Sequence, residues 1–242
     1  MSALYPSFGP VLVVGARPGS LGAAVADAVR GRGSEAVTMG LNNEDHSCDV
    51  FLDSMSHLQS LVERVAPRHV VCTAGLNMPE SHFTEHDPKD WYRWHFETNV
   101  VGPMRLLRVF AEWAEQRTYA GEPPRHYVAI SSNSATLPRS SSAAYCASKA
   151  ALSQALRVKA REAQGGDRGY IVYGYEPGLL AGTPMTQKTS DDFPGVPLHR
   201  MRGAALAAGV PVSALAAQIV SGLQVPGAAL NGALIRYDGG EL

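Results

Sequence analysis

Cysteine is scarce in this chain. Its 242 residues include three, Cys48, Cys72 and Cys146, far apart and in no metal-ligand spacing. An odd, scattered set excludes a disulfide framework and gives no zinc pattern, so no metal is expected. Excess charge of either sign is also missing: 21 Lys and Arg stand against 22 Asp and Glu, a formal net charge of -1. Nothing favours nucleic acid or an anionic membrane surface as a partner. Long uninterrupted apolar runs are absent too. Residues 203–235 carry no charge, but Pro211, Pro226 and several Gly interrupt them and Ala dominates. That composition predicts a loop, a short helix near 212–223 and a final strand rather than a membrane span. No basic segment leading into an apolar core opens the chain, so no secretion signal is expected and the predicted setting is cytoplasmic.

What is present suits one well-buried core. Hydrophobic residues make up 45% of the chain and charged residues 18%, and 242 residues are ample for one domain and short for two. Short apolar runs at 11–14, 36–39, 69–73, 127–131, 170–175 and 233–237 read as strands. Helical segments are expected at 21–32, 54–65, 87–116 and 143–163, with Asp87 as N-cap and Pro88 at the first helical position of the third. The strands lack clean period-two alternation, as strands buried on both faces do. Alternating strands and helices of this kind predict an α/β fold, a doubly wound parallel sheet with helices on both faces, over residues 1–242. Ligands of such sheets bind beyond the C-terminal strand ends. The path from Gly40 to Cys48 is too short for a helical crossover and predicts a loop over 41–47.

The most informative stretch runs from Ser132 to Lys149. Ser132 closes an apolar strand-like run, Tyr145 follows thirteen residues later, and Lys149 lies four residues beyond it. Four residues is one helical turn, which puts Tyr145 and Lys149 on one face. A free Tyr titrates near pH ~10; a neighbouring ammonium favours the phenolate and lowers that value. With a Ser hydroxyl to hold a substrate oxygen, the three form an acid–base device for a carbonyl or an alcohol. Cys146 beside Tyr145 reads as a small buried helix residue rather than a reactive thiol.

A second cluster follows the first strand. Gly15, Gly19 and Gly22 surround a strand-to-helix junction, where the backbone can approach a pyrophosphate at a helix N-terminus.

These residues, with Asn99 in ETNVVG, Cys48-Asp49-Val50, Cys72-Thr73-Ala74-Gly75, Pro177-Gly178 and Tyr237-Asp238-Gly239-Gly240, resemble the short-chain dehydrogenase/reductase family in its own order along nearly the whole chain. The resemblance implies a single Rossmann-type domain and a nicotinamide-dependent oxidoreductase acting on a small-molecule carbonyl or alcohol. It implies the catalytic tetrad Asn99, Ser132, Tyr145 and Lys149: Tyr145 as general acid or base, Lys149 tuning it, Ser132 holding the substrate oxygen, Asn99 bending its helix and anchoring a proton-relay water. It assigns to the cofactor Gly15, Arg17, Gly19, Leu21, Gly22, Asp49, Val50, Ala74, Gly75, Tyr145, Lys149, Pro177, Gly178 and Thr183. It places a substrate lid at about 179–201, with Asn133, Leu137, Leu179 and Phe193 as pocket-lining candidates.

The chain departs from the family in places. Gly-x-x-x-Gly-x-x-Gly has one more residue than the usual pattern. Thr183 stands one position late. Cys72-Thr73 replaces an Asn-Asn pair. No acid follows the second strand to bind a ribose hydroxyl, whereas Arg17 suits a 2′-phosphate, so NADP(H) is favoured over NAD(H). These departures also motivate an alternative, a catalytically weak nucleotide-sensing or scaffolding protein on the same fold. A homo-oligomer, tetramer or dimer, is expected, because 87–116 carries Trp91, Trp94, Phe96, Phe110, Trp113 and several Val and Leu, more apolar surface than one helix face needs.

Overall fold

The computed structural model describes residues 8–40, 46–47, 49–50, 52–78, 87–117, 121–185 and 209–238. Strand β1, Val11–Val14, sets the pattern for the rest. All four residues are buried, and successive side chains enter opposite cores. Val11 and Val13 pack with helices α1 (Leu21–Gly31) and α6 (Val212–Gly222). Leu12 and Val14 pack with α2 (Met55–Val65), α4 (Gly102–Glu115) and α5 (Ala143–Glu162). Two apolar faces on one strand demand helices on both sides of the sheet.

The remaining strands are β2 (Ala36–Gly40), β3 (His46–Ser47), β4 (His69–Cys72), β5 (Arg125–Ile130), β6 (Tyr170–Pro177), β7 (Leu180–Ala181), β8 (Val210–Pro211) and β9 (Leu234–Tyr237). The main sheet has the order β3-β2-β1-β4-β5-β6-β9, parallel throughout. β1 pairs with β2 on one side and β4 on the other, so the winding reverses there and a crevice opens beyond the ends of β1 and β4. β7 and β8 form a small separate parallel pair.

Three local expectations change. Residues 87–116 are not one helix: α3 (Pro88–Phe96) passes through a five-residue π-helical turn, Glu97–Val101, into α4. Gly102 N–H reaches back five residues to Glu97 O, and Pro103 has no N–H for the carbonyl of Asn99, so the regular ladder breaks here. Asp87 does cap α3, accepting from Lys89 N–H at 2.9 Å with Pro88 next. The expected loop over 41–47 gives way at His46–Ser47 to a strand paired with β2; residues 41–45 and Cys48 lie outside the described residues. β6 continues to Pro177 because β9 pairs with it that far.

Part of the aromatic surplus on 87–116 is absorbed within the chain. Trp91 is 2% exposed and Trp113 7%. Phe110 packs on Trp113 and Tyr127, and the guanidinium groups of Arg117 and Arg125 lie 5.1 and 5.3 Å from the Trp113 ring. Side chains following α4 thus cover Trp113, while Tyr92 and Val101 on the same stretch stay exposed, at 42% and 41%.

The N-terminal edge of the sheet holds a buried pair. His69 on β4 and His126 on β5 pack ring to ring at 4.8 Å, and His126 N–H donates to His69 Nδ1 at 3.1 Å. Burial, reinforced by nearby positive charge, pushes His69 well below its ordinary value and His126 down to about 4. Among the described residues no helix is long and apolar enough to cross a membrane.

Candidate active site

The glycine-rich turn leaves β1 at the crevice. Gly15 takes φ 89°, and its N–H donates to Met39 O at 2.8 Å. A Cβ there would lie 2.7 Å from Ala74 N and 2.9 Å from Thr73 Oγ1. A Cβ at Gly22 would lie 2.6 Å from the same hydroxyl and 2.7 Å from Gly15 O. Gly15 and Gly22 therefore stay in register with the end of β4 despite the longer spacing. The extra residue is absorbed at Ser20, the N-cap of α1, whose hydroxyl donates to Gly15 O and accepts from Ala23 N–H.

Arg17, Pro18 and Gly19 remain exposed beside a helix N-terminus with no acid in its first turn, which suits an anion. Leu21 is buried with Val25 and Val29 in the core. Its side chain is packing, and only its backbone faces the turn.

The Asn-Asn departure resolves through Thr73, a residue the sequence reading left without a role. Thr73 Oγ1 donates to Val14 O at 2.8 Å and stitches β4 to the glycine turn. On the adenosine side, Val50 is buried against Gly102, and Arg105 of α4 donates to Val50 O at 2.9 Å. Asp49 Oδ1 accepts from Leu52 N–H at 3.2 Å. Arg105 gave no sequence signal, since its partner is a backbone carbonyl 55 residues away. A cradle closed to any Cβ at Gly15 and Gly22, a free helix N-terminus and a held Asp49-Val50 turn fit a dinucleotide along the crevice.

At the other end, α5 carries Tyr145 and Lys149 inward, 8% and 3% exposed. Lys149 Nζ donates to Ile130 O at 2.9 Å and lies 5.9 Å from the Tyr145 ring centre. Burial pulls the ammonium down to about 8. The same burial pushes the nearby Cys72 thiol up to about 11, leaving it protonated at neutral pH. Ser132, at the end of β5, accepts from Ser134 N–H at 3.1 Å through Oγ. Behind it, Ser131, Ser153 and Glu176 form a buried hydrogen-bonded row joining β5, α5 and β6.

Asn99 is fully buried and holds the loop after β4, and its Nδ2 also donates to Ser148 Oγ at 2.9 Å. A Cβ at Gly75 would be 3.3 Å from Lys149 Nζ and 3.4 Å from Asn99 Oδ1, so these three residues converge. One turn before Asn99, His95 accepts from Met78 N–H through Nε2 at 3.2 Å and presents its ring to Tyr145. Sequence reading passed over it, because a lone His on an apolar helix has no pattern.

Pro177 and Gly178 end β6, with Gly178 N–H donating to Tyr237 O at 2.9 Å. Thr183 is buried, and Pro184 beside it approaches the Gly19 position at 3.7 Å, folding the segment after β7 back onto the glycine turn. Leu137 is 41% exposed at the rim. Phe193, residues 186–201 of the expected lid, and Gly239-Gly240 lie outside the described residues.

Comparison with known proteins agrees with this geometry. A family model described as short chain dehydrogenase matches residues 48–193. That match begins after the glycine-rich turn, where the spacing departs. No curated protein matches in sequence. Among solved structures, L-sorbose reductase from Gluconobacter frateurii, complexed with NADPH and L-sorbose, superposes with a TM-score of 0.78 at 19% identity, over 98% of this chain and 97% of that one. Aldohexose dehydrogenase from Thermoplasma acidophilum gives 0.76 at 18% identity, covering 96% and 93%. Pseudomonas aeruginosa RhlG, in an NADP active-site complex, gives 0.73 at 20% identity, covering 98% of each chain.

Proposed function

The chain belongs to the short-chain dehydrogenase family and is an NAD(P)-dependent oxidoreductase; on that premise we propose that it is a single-domain, NADP(H)-preferring enzyme acting on a small-molecule carbonyl or alcohol through Tyr145. The bound cofactor supplies or takes the hydride. The chain's own residues handle the oxygen and the proton. Ser132 directs its hydroxyl at the substrate oxygen, and Tyr145 moves the proton to or from it. Lys149 in its charged form favours the phenolate and so makes Tyr145 a usable acid near neutral pH. Asn99, to whose carbonyl Pro103 has no N–H to give in the α-helical register, offers an acceptor for a water on the path from Lys149 to solvent.

One observation carries the reading. Tyr145, Lys149, Gly75 and Asn99 meet at the C-terminal ends of β4 and β5, with the Lys149 ammonium buried and its pKa lowered to about 8. Gly15, Gly19, Gly22, Asp49, Val50, Ala74, Pro177, Gly178 and Thr183 line the dinucleotide side of the same crevice in this proposal, and Arg17 meets the 2′-phosphate. Assembly into a dimer or tetramer belongs to it as well, supported by exposed apolar residues on the π-helical turn and α5, Val101 and Val158.

The test is nicotinamide absorbance with NADPH and NADH against a panel of carbonyl compounds, with L-sorbose and aldohexoses first because the structural neighbours are named for them. Turnover of at least one compound is expected; none across the panel overturns the reading. Light scattering gives the assembly, and a mass at the 25.7 kDa of one chain rules it out.

A further inference from the structure

The turn after β5 is tied together by a residue that no motif singles out. Arg139 Nε donates to Ser134 Oγ at 2.7 Å, and its Nη2 donates to Asn133 Oδ1 at 2.8 Å. No carboxylate among the described residues pairs with it. Both of these hydrogen bonds go to the turn beginning at Ser132, and Asn133 and Ser134 are both buried. Ser134 in turn donates its N–H to Ser132 Oγ at 3.1 Å, and Ala135 N–H donates to Ser132 O at 3.0 Å. The guanidinium is therefore joined to the Ser132 hydroxyl through one intervening residue, Ser134.

Two consequences follow from donor and acceptor chemistry. Ser134 N–H occupies one lone pair of Ser132 Oγ and so fixes the direction in which the hydroxyl can offer its proton. Arg is donor-only, so the Asn133 atom facing it must be the oxygen. The amide nitrogen is thereby turned the other way, towards Gly178, where a Cβ would come within 3.4 Å of it. A planar fork that grips two oxygens at once holds both side chains in a single orientation, and a flexible ammonium cannot reproduce that.

We propose that Arg139 is a positioning residue for substrate binding: it locks the turn at Asn133 and Ser134, and thereby fixes Ser132 as a preorganised donor to the substrate oxygen. The inference rests on the oxidoreductase reading above for its catalytic consequence. The locking of the turn stands independently of it. Fixed donors stabilise developing charge because no reorganisation is needed during the reaction.

The test uses the full chain with L-sorbose as the carbonyl probe. Arg139→Ala is expected to lower kcat by roughly 10- to 100-fold, part of what losing a whole donor costs, with the NADPH Kd unchanged within about twofold. Methylguanidinium in solution should restore part of that loss, and Arg139→Lys should not. In a Ser132→Ala background the Arg139→Ala change should add less than about twofold, since both act through one hydroxyl. Hydrogen exchange provides an arm that needs no turnover: in Arg139→Ala the Ser134 amide should lose protection, as it should in Ser132→Ala, which removes its acceptor. Unchanged protection at Ser134, or full multiplicative losses in the double variant, overturns the proposal. If the wild-type chain reduces no carbonyl, the oxidoreductase reading fails alone and the exchange result still decides the positioning role.

Discussion

Asn99 takes both backbone groups of Leu76: the Leu76 N–H donates to Oδ1 at 2.7 Å, and Nδ2 donates to the Leu76 carbonyl at 2.9 Å. One side-chain amide thus stands in for a strand edge and holds the loop after β4 against the π-helical turn. The same amide reaches Ser148, one residue before Lys149. Asn99→Leu keeps the size and removes all three bonds, leaving the two partly buried backbone groups of Leu76 without their partner. The expected cost is about 2–4 kcal/mol, seen as a fall in Tm of roughly 5–15 °C in thermal unfolding. A Tm within a degree or two of wild type would show that the loop does not depend on Asn99.

Tyr145→Phe should abolish turnover and leave cofactor affinity nearly intact, since only the transferable proton is removed. Lys149→Ala should impair both. Because the Lys149 ammonium is held down to about 8, its charged form predominates below that pH and is lost above it. The kcat/KM of carbonyl reduction should therefore decline as pH rises through about 8. Wild-type kcat in Tyr145→Phe, or a flat profile across that range, contradicts the assigned roles.

Gly15→Ala meets both obstacles at once, a φ of 89° and a contact of 2.7 Å with Ala74 N. Backbone strain alone costs about 1–3 kcal/mol, and the glycine turn must move. Gly40→Ala, where the nearest atoms are 3.8 Å away, serves as the neighbouring control. Nucleotide titration should show binding lost in Gly15→Ala and kept in Gly40→Ala.

NADPH should bind more tightly than NADH, and Arg17→Ala should narrow the gap. Arg17 is exposed in the phosphate turn and free to meet a 2′-phosphate. Fluorescence titration of the two cofactors measures it. Equal affinities in the wild-type protein would sink the preference.

Acid should unfold the protein through His69 and His126. Their folded values are depressed, His126 to about 4, so between that value and about 6.5 the unfolded chain binds protons that the folded chain refuses. Stability is full above about 6.5 and is lost as pH falls towards 4, by up to about 3 kcal/mol for His126 alone. Protonating His69 also removes the acceptor for the His126 N–H. Urea unfolding across pH should show a shallower acid slope in His126→Gln than in wild type.

Much of the fold and site was legible in the chain, for reasons that can be named. The runs at 11–14 and 170–175 are apolar on both alternations, and a strand of that kind has one stable setting, inside a sheet covered on both faces. Asp87-Pro88 writes its own helix start. Tyr145 and Lys149 share a face because helical geometry puts residues four apart together. Legible features of this kind are local: the chemistry lies within one or two turns of the residue that reveals it.

Only tertiary structure decided the rest. Thr73 replaces an expected Asn in stitching β4 to the glycine turn, through a bond 59 residues apart in sequence. Arg105 holds Val50, and His95 holds Met78, through backbone atoms that every residue possesses. Trp113 finds its cover in Arg117 and Arg125, a contact that apolar counting on 87–116 does not reveal. In each case one partner is a backbone group or the face of a ring. None of these leaves a mark in composition or spacing, because the contact exists only once the chain has brought distant segments together.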